Sequence, residues 1–148
     1  MTTSESNRAT VLRFAERLSA RDFAGMAELV TPDATWWVVG RTDYAPYAGL
    51  HRVSDVLQLL IGFVGALDEF TFTAENSIAE GDRVAIEATS LGKMGEAEYA
   101  NVYMMRYELR DGKIHSIREF FDGFAITAYL DQMGISSSEA FAGIGGAS

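Results

Sequence analysis

Residues 99–122, YANVYMMRYELRDGKIHSIREFFD, constrain the fold most, because they read as two long strands joined by a two-residue turn. Asp111-Gly112 suits a type I′ turn, which needs positive φ at both central positions. On the first strand Tyr99, Asn101, Tyr103, Met105 and Tyr107 share a face, with Val102, Met104 and Arg106 opposite. On the second, strict alternation sets Ile114, Ser116, Arg118, Phe120 and Asp122 against His115, Ile117, Glu119 and Phe121. Neither face is purely apolar. A sheet that both packs a core and lines a ligand pocket has this mixture, since pockets are mostly apolar with a few placed polar groups.

With 148 residues, 48% of them hydrophobic, the chain is long enough to bury a core as one domain. It has no cysteine, which removes disulfide, thiolate-metal and thiol-nucleophile chemistry. A net charge of −9 and interspersed acids around Arg106, Arg110, Lys113 and Arg118 argue against nucleic-acid binding. The N-terminus lacks a basic stretch followed by an apolar run, and the apolar stretch 56–67 is too short to span a bilayer. A soluble cytoplasmic protein with no membrane contact is expected. The two histidines lie far apart, so no metal site has convincing ligand spacing, and no phosphate loop, dinucleotide fingerprint or serine elbow occurs. No cofactor is expected.

Val11, Phe14, Ala15 and Leu18 form the stripe of an amphipathic helix over 7–19, and Asp22 is placed to cap a short second helix that ends at Thr31-Pro32. Residues 34–39 read as a strand and 40–49 as a loop. A helix from about Ser54 to Leu67 has the cleanest stripe in the chain, through Val56, Leu57, Leu60, Phe63, Val64 and Leu67. Strands come next at 69–79 and 83–91, then the hairpin, then a helix at 125–133. This order predicts an α+β fold, with helices packed on a strongly curved antiparallel sheet that encloses a conical cavity. Residues 1–133 form the domain, and 134–148 a small, polar tail whose Phe141 and Ile144 offer anchors across a pocket or a neighbouring subunit.

Four stretches carry a family resemblance: ARDFAGMAELVTPDATWWVVG at 20–40, YAGLHRVSDVLQLL at 47–60, NVYMMRYELRDGKI at 101–114 and REFFD at 118–122. With the order of elements, they resemble the NTF2-like cone fold and, within it, the SnoaL-like and ketosteroid-isomerase-like branch. That resemblance implies a small-molecule cavity and a homodimer formed through the convex sheet face. The isomerase positions for a helix tyrosine, a base aspartate and a protonated aspartate fall on Phe14, Val38 and Tyr103, so the isomerase base is missing. Limonene epoxide hydrolases use an arginine and an aspartate on a middle strand and a further aspartate after the last strand; the last resembles Asp122, and the first two positions fall near Ala88 and Ser90. Asp122 also resembles the aspartate that SnoaL-like cyclases use as acid/base.

Asp122 stands beside Phe120, Phe121 and Phe124, as either a desolvated general base or the N-cap of the last helix. Asn101 and Tyr103 share a face and could hold a ligand oxygen, and His51 could carry a proton. The expected pocket wall includes Trp36, Val38, Tyr44 and Tyr47 from the first strand and its loop. Phe14, Phe63, Met105 and Phe120 are expected to complete it. The leading expectation is a cofactor-independent acid/base enzyme acting on a small, apolar, carbonyl-containing molecule by cyclisation, isomerisation or dehydration. A non-catalytic binding or interaction domain is the alternative. An epoxide hydrolase is a third reading, and needs a second carboxylate such as Asp43 to reach Asp122.

Overall fold

A computed structural model describes residues 1–142. Its elements are α1 (Thr3–Ser19), α2 (Phe23–Ala27), β1 (Val30–Val38), β2 (Gly49–Arg52), α3 (Val53–Phe63) and β3 (Glu69–Glu80). They continue with β4 (Arg83–Met94), β5 (Ala97–Arg110), β6 (Lys113–Phe121), α4 (Gly123–Met133) and α5 (Ser137–Ala140). One curved sheet runs in the order β2-β1-β6-β5-β4-β3; every pairing is antiparallel except β1 with β6. Asp111 and Gly112 both take positive φ, at 51° and 80°, and close the β5–β6 hairpin as the turn chemistry requires.

The longer helices α1, α3 and α4 each have an apolar face to bury. In α1, Val11, Phe14, Ala15 and Leu18 are all buried, and the helix packs across β3. It starts earlier than the stripe suggests, at Thr3, because Thr2 and Glu5 form a reciprocal capping box. The α3 helix begins at Val53 behind an Arg52 cap that makes no side-chain bond, so Ser54 lies inside the first turn and is not its cap. The expected loop at 40–49 yields its last residue to the short strand β2, which pairs with β1. Val30, expected in the second helix, starts β1, and Thr31-Pro32 lies within that strand.

Two irregularities decide which side chains face inward. A register shift separates Ala74 from Asn76 in β3, and another lies between the pairs Glu108–Ser116 and Leu109–Ile114. His115 is therefore the extra residue of a bulge in β6, and strict alternation fails there. Ile114 and Ile117, which alternation puts on opposite faces, are both fully buried in the main core with Val11, Phe14, Met26, Val84 and Tyr107. From Ile117 onward the inward residues are Glu119 and Phe121, while Phe120 turns out to the convex face and is 42% exposed. There it packs 5.3 Å from Trp37, over which Arg118 lies at 4.0 Å. Leu91, Val102 and Met104 are also exposed on this face.

A second cluster, of Leu67, Tyr99, Ile126, Tyr129, Leu130 and Phe141, holds α4 against the wide end of β5. The tail is not simply polar chain beyond Met133. Gly134 ends α4 in the left-handed conformation (φ 68°), Ser136 and Glu139 cap α5, and Phe141 is buried. Ile144 lies outside the described residues. No helix among the described residues is long and apolar enough to cross a membrane. Because Ile117 is fully buried beside the bulge, Ile117→Ala should destabilise the protein by about 2–5 kcal/mol in urea unfolding. A change below about 1 kcal/mol would contradict this packing.

Candidate functional site

The concave face of the sheet and the helices over it enclose a cavity of about 110 Å³, of the order of cavities that take up benzene. Its wall is largely apolar and aromatic: Trp36 and Val38 from β1, Leu60 and Phe63 from α3, Phe72 from β3, and Met105 from β5 all contribute. The polar groups in it are few: the indole N–H of Trp36, the hydroxyls of Tyr47, Tyr99 and Tyr103, and the carboxyl of Glu119.

Glu119 is placed by the sheet. It sits on β6 between Val38 of β1 and Met105 of β5, and shares their inward face. Its Oε1 accepts a hydrogen bond from Trp36 Nε1 at 2.8 Å. No lysine or arginine lines the cavity among the described residues. Burial therefore dominates and pushes the carboxyl from 4.5 up to about 7, against the Trp36 hydrogen bond, which favours the charged form. A carboxyl held near neutrality can give or take a proton at physiological pH.

The tyrosines form the other polar element. Tyr103 Oη lies 2.8 Å from Ser90 Oγ and 3.1 Å from Tyr99 Oη. Burial raises Tyr99 to about 12 and Tyr103 well above its ordinary value, and the nearby Glu119 charge adds to both shifts. Both are neutral donors across the range in which Glu119 titrates. Tyr103 pairs with Phe121, one inward position along β6 from Glu119, so the carboxyl and the hydroxyl face the same space on adjacent strands.

The sequence-predicted residues divide. Tyr103, Trp36, Val38, Tyr47, Phe63 and Met105 line the cavity. Asp122 does not: it is exposed at the start of α4, where its side chain accepts from Phe124 N–H at 2.9 Å, the helix-cap alternative. Asn101 is buried, but its amide is held by Tyr99 and the backbone rather than presented to the cavity. His51 is fully buried outside the cavity wall, with Nε2–H donating to the Tyr47 carbonyl at 2.7 Å, which braces the loop that carries Tyr47.

Tyr44 is 69% exposed, with Arg41 over its ring, and Phe120 faces outward. Phe14 lies in the core below the cavity, 6.1 Å from both Trp36 and Tyr107. Asp43 is exposed and paired with Arg41 at 2.7 Å, so it does not meet Asp122 in a shared site. Sequence reasoning missed Glu119, because strict alternation through His115 gave no cleanly apolar face from which to pick it out. Phe141, offered by the sequence as an anchor across a pocket or a neighbouring subunit, closes part of the cavity 5.1 Å from Tyr47. Among the described residues no cluster of three histidine, cysteine or acidic side chains could hold a metal ion.

The raised Glu119 value has a consequence for stability. Between 4.5 and about 7 the native state holds a proton that the unfolded chain has released, so stability falls as pH rises through this window and levels off above it. The loss should be on the order of 3 kcal/mol at most. Urea unfolding at stepped pH should show that slope, and Glu119→Gln should flatten it. A slope identical in the two proteins would contradict the placement of Glu119.

The SnoaL-like domain family matches residues 11–117. UPF0523 protein C of Dictyostelium discoideum is 32% identical over 98 residues, which cover 64% of this chain and 63% of that protein, so the chain aligns with less than two thirds of its relative. PrhC from Penicillium brasilianum superposes with a TM-score of 0.80 at 14% identity, covering 96% of this chain and 95% of its own. An LEH-like epoxide hydrolase of M. tuberculosis superposes with a TM-score of 0.71 at 20% identity, covering 90% and 96%. At those identities the likeness to the two solved structures is one of fold. Family match, element order and curved sheet agree: the chain belongs to the SnoaL-like domain family, with the NTF2-like fold.

Proposed function

We propose that the protein is a cofactor-independent acid/base enzyme acting on a small, apolar, enolisable carbonyl compound, with Glu119 in place of Asp122 as the group that moves the proton. The observation that carries this reading is a carboxyl raised to about 7 in an apolar cavity, with Trp36 as its hydrogen-bond donor and no cation in the wall among the described residues. As carboxylate, Glu119 removes a proton from the carbon next to the carbonyl. The negative charge that develops on oxygen is met by the Tyr103 hydroxyl, a neutral donor on the adjacent strand. The resulting carboxylic acid then returns the proton to carbon or to a leaving hydroxyl. Isomerisation, cyclisation and dehydration share this enolate-forming step.

The cavity size favours a single-ring or short branched substrate, and its aromatic wall favours an apolar one. An epoxide hydrolase mechanism is less well supported, because Glu119 is the only carboxyl lining the cavity among the described residues. The non-catalytic binding reading predicts the same apolar occupant without proton transfer, so exchange into a ligand separates the two.

Small cyclic ketones such as cyclohexanone should exchange their α-hydrogens for deuterium in heavy water in the presence of the protein, followed by proton NMR. The rate should rise with pH through a midpoint near 7, where the base form appears. Glu119→Gln should lower it about a hundredfold, while Asp122→Ala should leave it unchanged and cost only about 1 kcal/mol of stability. Exchange no faster than in buffer across a panel of such ketones would favour the binding domain.

A further inference from the structure

Asn101 stands behind the cavity wall with all four hydrogen-bonding positions of its amide filled. Oδ1 accepts from the backbone N–H of Val102 at 2.8 Å and from that of Asp122 at 3.0 Å. Nδ2 donates to the Asp122 carbonyl at 3.1 Å and to the Tyr99 hydroxyl at 2.7 Å. Three of these partners are backbone groups whose polarity cannot change. Rotating the amide by half a turn would set N–H against two N–H donors and oxygen against a carbonyl, so the hydrogen-bond network fixes its orientation. The bond to Tyr99 therefore has one direction, with the phenol oxygen accepting.

That direction is passed along the hydroxyls. Having accepted from Asn101, Tyr99 has its own proton to donate, and Tyr103 Oη is 3.1 Å away. Tyr103 Oη then accepts from Tyr99, and Ser90 Oγ, at 2.8 Å, can rotate either to accept from it or to donate to it. When a carbonyl oxygen enters the cavity, Ser90 can turn to donate, so that both neighbours donate to Tyr103 and its proton is free for the ligand. Charge developing on the ligand oxygen is then spread along the chain, since hydrogen bonds in series polarise one another. The opposite direction would do the reverse. An acceptor at the Asn101 position would draw the Tyr99 proton away and then that of Tyr103, and the ligand oxygen would face a lone pair.

We infer that Asn101 is a positioning residue that sets the direction of the Tyr99–Tyr103–Ser90 hydroxyl chain, so that Tyr103 presents its proton to the carbonyl oxygen of an apolar ketone. The inference rests on the cavity being a carbonyl site, as proposed above, but not on Glu119 acting as base. Asn101 touches no ligand in this arrangement and works through Tyr99. The role differs from a purely structural one because it depends on which way a hydrogen bond points.

The test uses the full-length protein with carbonyl-labelled ¹³C cyclohexanone as probe and infrared spectroscopy as readout. It is run at about pH 9, where Glu119 is ionised and cannot donate. A carbonyl that accepts a hydrogen bond absorbs at lower wavenumber. The wild-type protein should give a bound band shifted down from that of the ketone in an apolar solvent, and Tyr103→Phe should lose the shift. Tyr99→Phe, which removes the donor to Tyr103 without touching the backbone partners of Asn101, should reduce the shift and weaken binding about three- to tenfold. Asn101→Asp supplies an acceptor in place of Nδ2 and should abolish the shift.

If Asn101→Asp fails to fold, because its carboxylate meets the Asp122 carbonyl, Tyr99→Phe decides alone. An unshifted or absent bound band in the wild-type protein, an undiminished shift in Tyr99→Phe, or an undiminished shift in a folded Asn101→Asp would overturn the inference. Glu119→Gln should keep the shift. Lost α-hydrogen exchange with a preserved shift therefore counts against Glu119 as base only if it also occurs in the wild-type protein, whereas preserved exchange with no shift counts against the chain.

Discussion

The bulge at His115 decides what the last strand shows to the interior, and the site depends on it. Without the extra residue, Ile114 and Ile117 could not both enter the core, and one fully buried isoleucine would be lost from the base of the cone. With it, the alternation restarts at Ile117, and Glu119 and Phe121 come next on the inward side. The same restart sends Phe120 and Arg118 outward to stack on Trp37. A packing requirement at the closed end of the sheet thus determines which ionisable group faces the cavity.

The raised Glu119 carboxyl is an electrostatic consequence of shape. The helices and the curved sheet surround it with aromatic and aliphatic side chains and supply one strong donor, Trp36 Nε1. One neutral hydrogen bond offsets only part of the desolvation of a carboxylate, so the protonated form is favoured until near neutrality. The net charge of −9 brings no cation to the cavity wall among the described residues. Nearby, burial keeps the tyrosines protonated, and the Glu119 charge adds to it. Acid/base capacity and neutral donors therefore arise together, from one low-dielectric enclosure.

Much of the fold is legible in the sequence because local signals and burial agree. Asp111-Gly112 marks the hairpin turn, and the odd residues from Tyr99 to Tyr107 do face inward, since β5 is regular up to Glu108. The α1 stripe and the helix entry at Asp122 are also readable. Elements that depend on a distant partner are not: β2 is four residues beside a loop of turn-forming composition, and only β1 makes it a strand. The site is legible on β5 and hidden on β6. Strict alternation carried across His115 mixes core and surface residues, which leaves Glu119 without a signal and gives Asp122, flanked by phenylalanines, undue weight. Asn101 shows a further limit: its face can be read, but whether an amide meets a ligand or a backbone requires coordinates.

The central claim, that an apolar cone holds one carboxyl close to neutrality, is tested most directly by titrating the Glu119 side chain itself. Carboxyl ¹³C NMR on the folded protein, with the signal assigned by its loss in Glu119→Gln, should give a midpoint near 7. Replacing Trp36 with phenylalanine should move it higher still by removing the one donor that favours the charge. A midpoint at or below the ordinary 4.5 would mean that water or an opposing charge reaches Glu119, and would contradict the account.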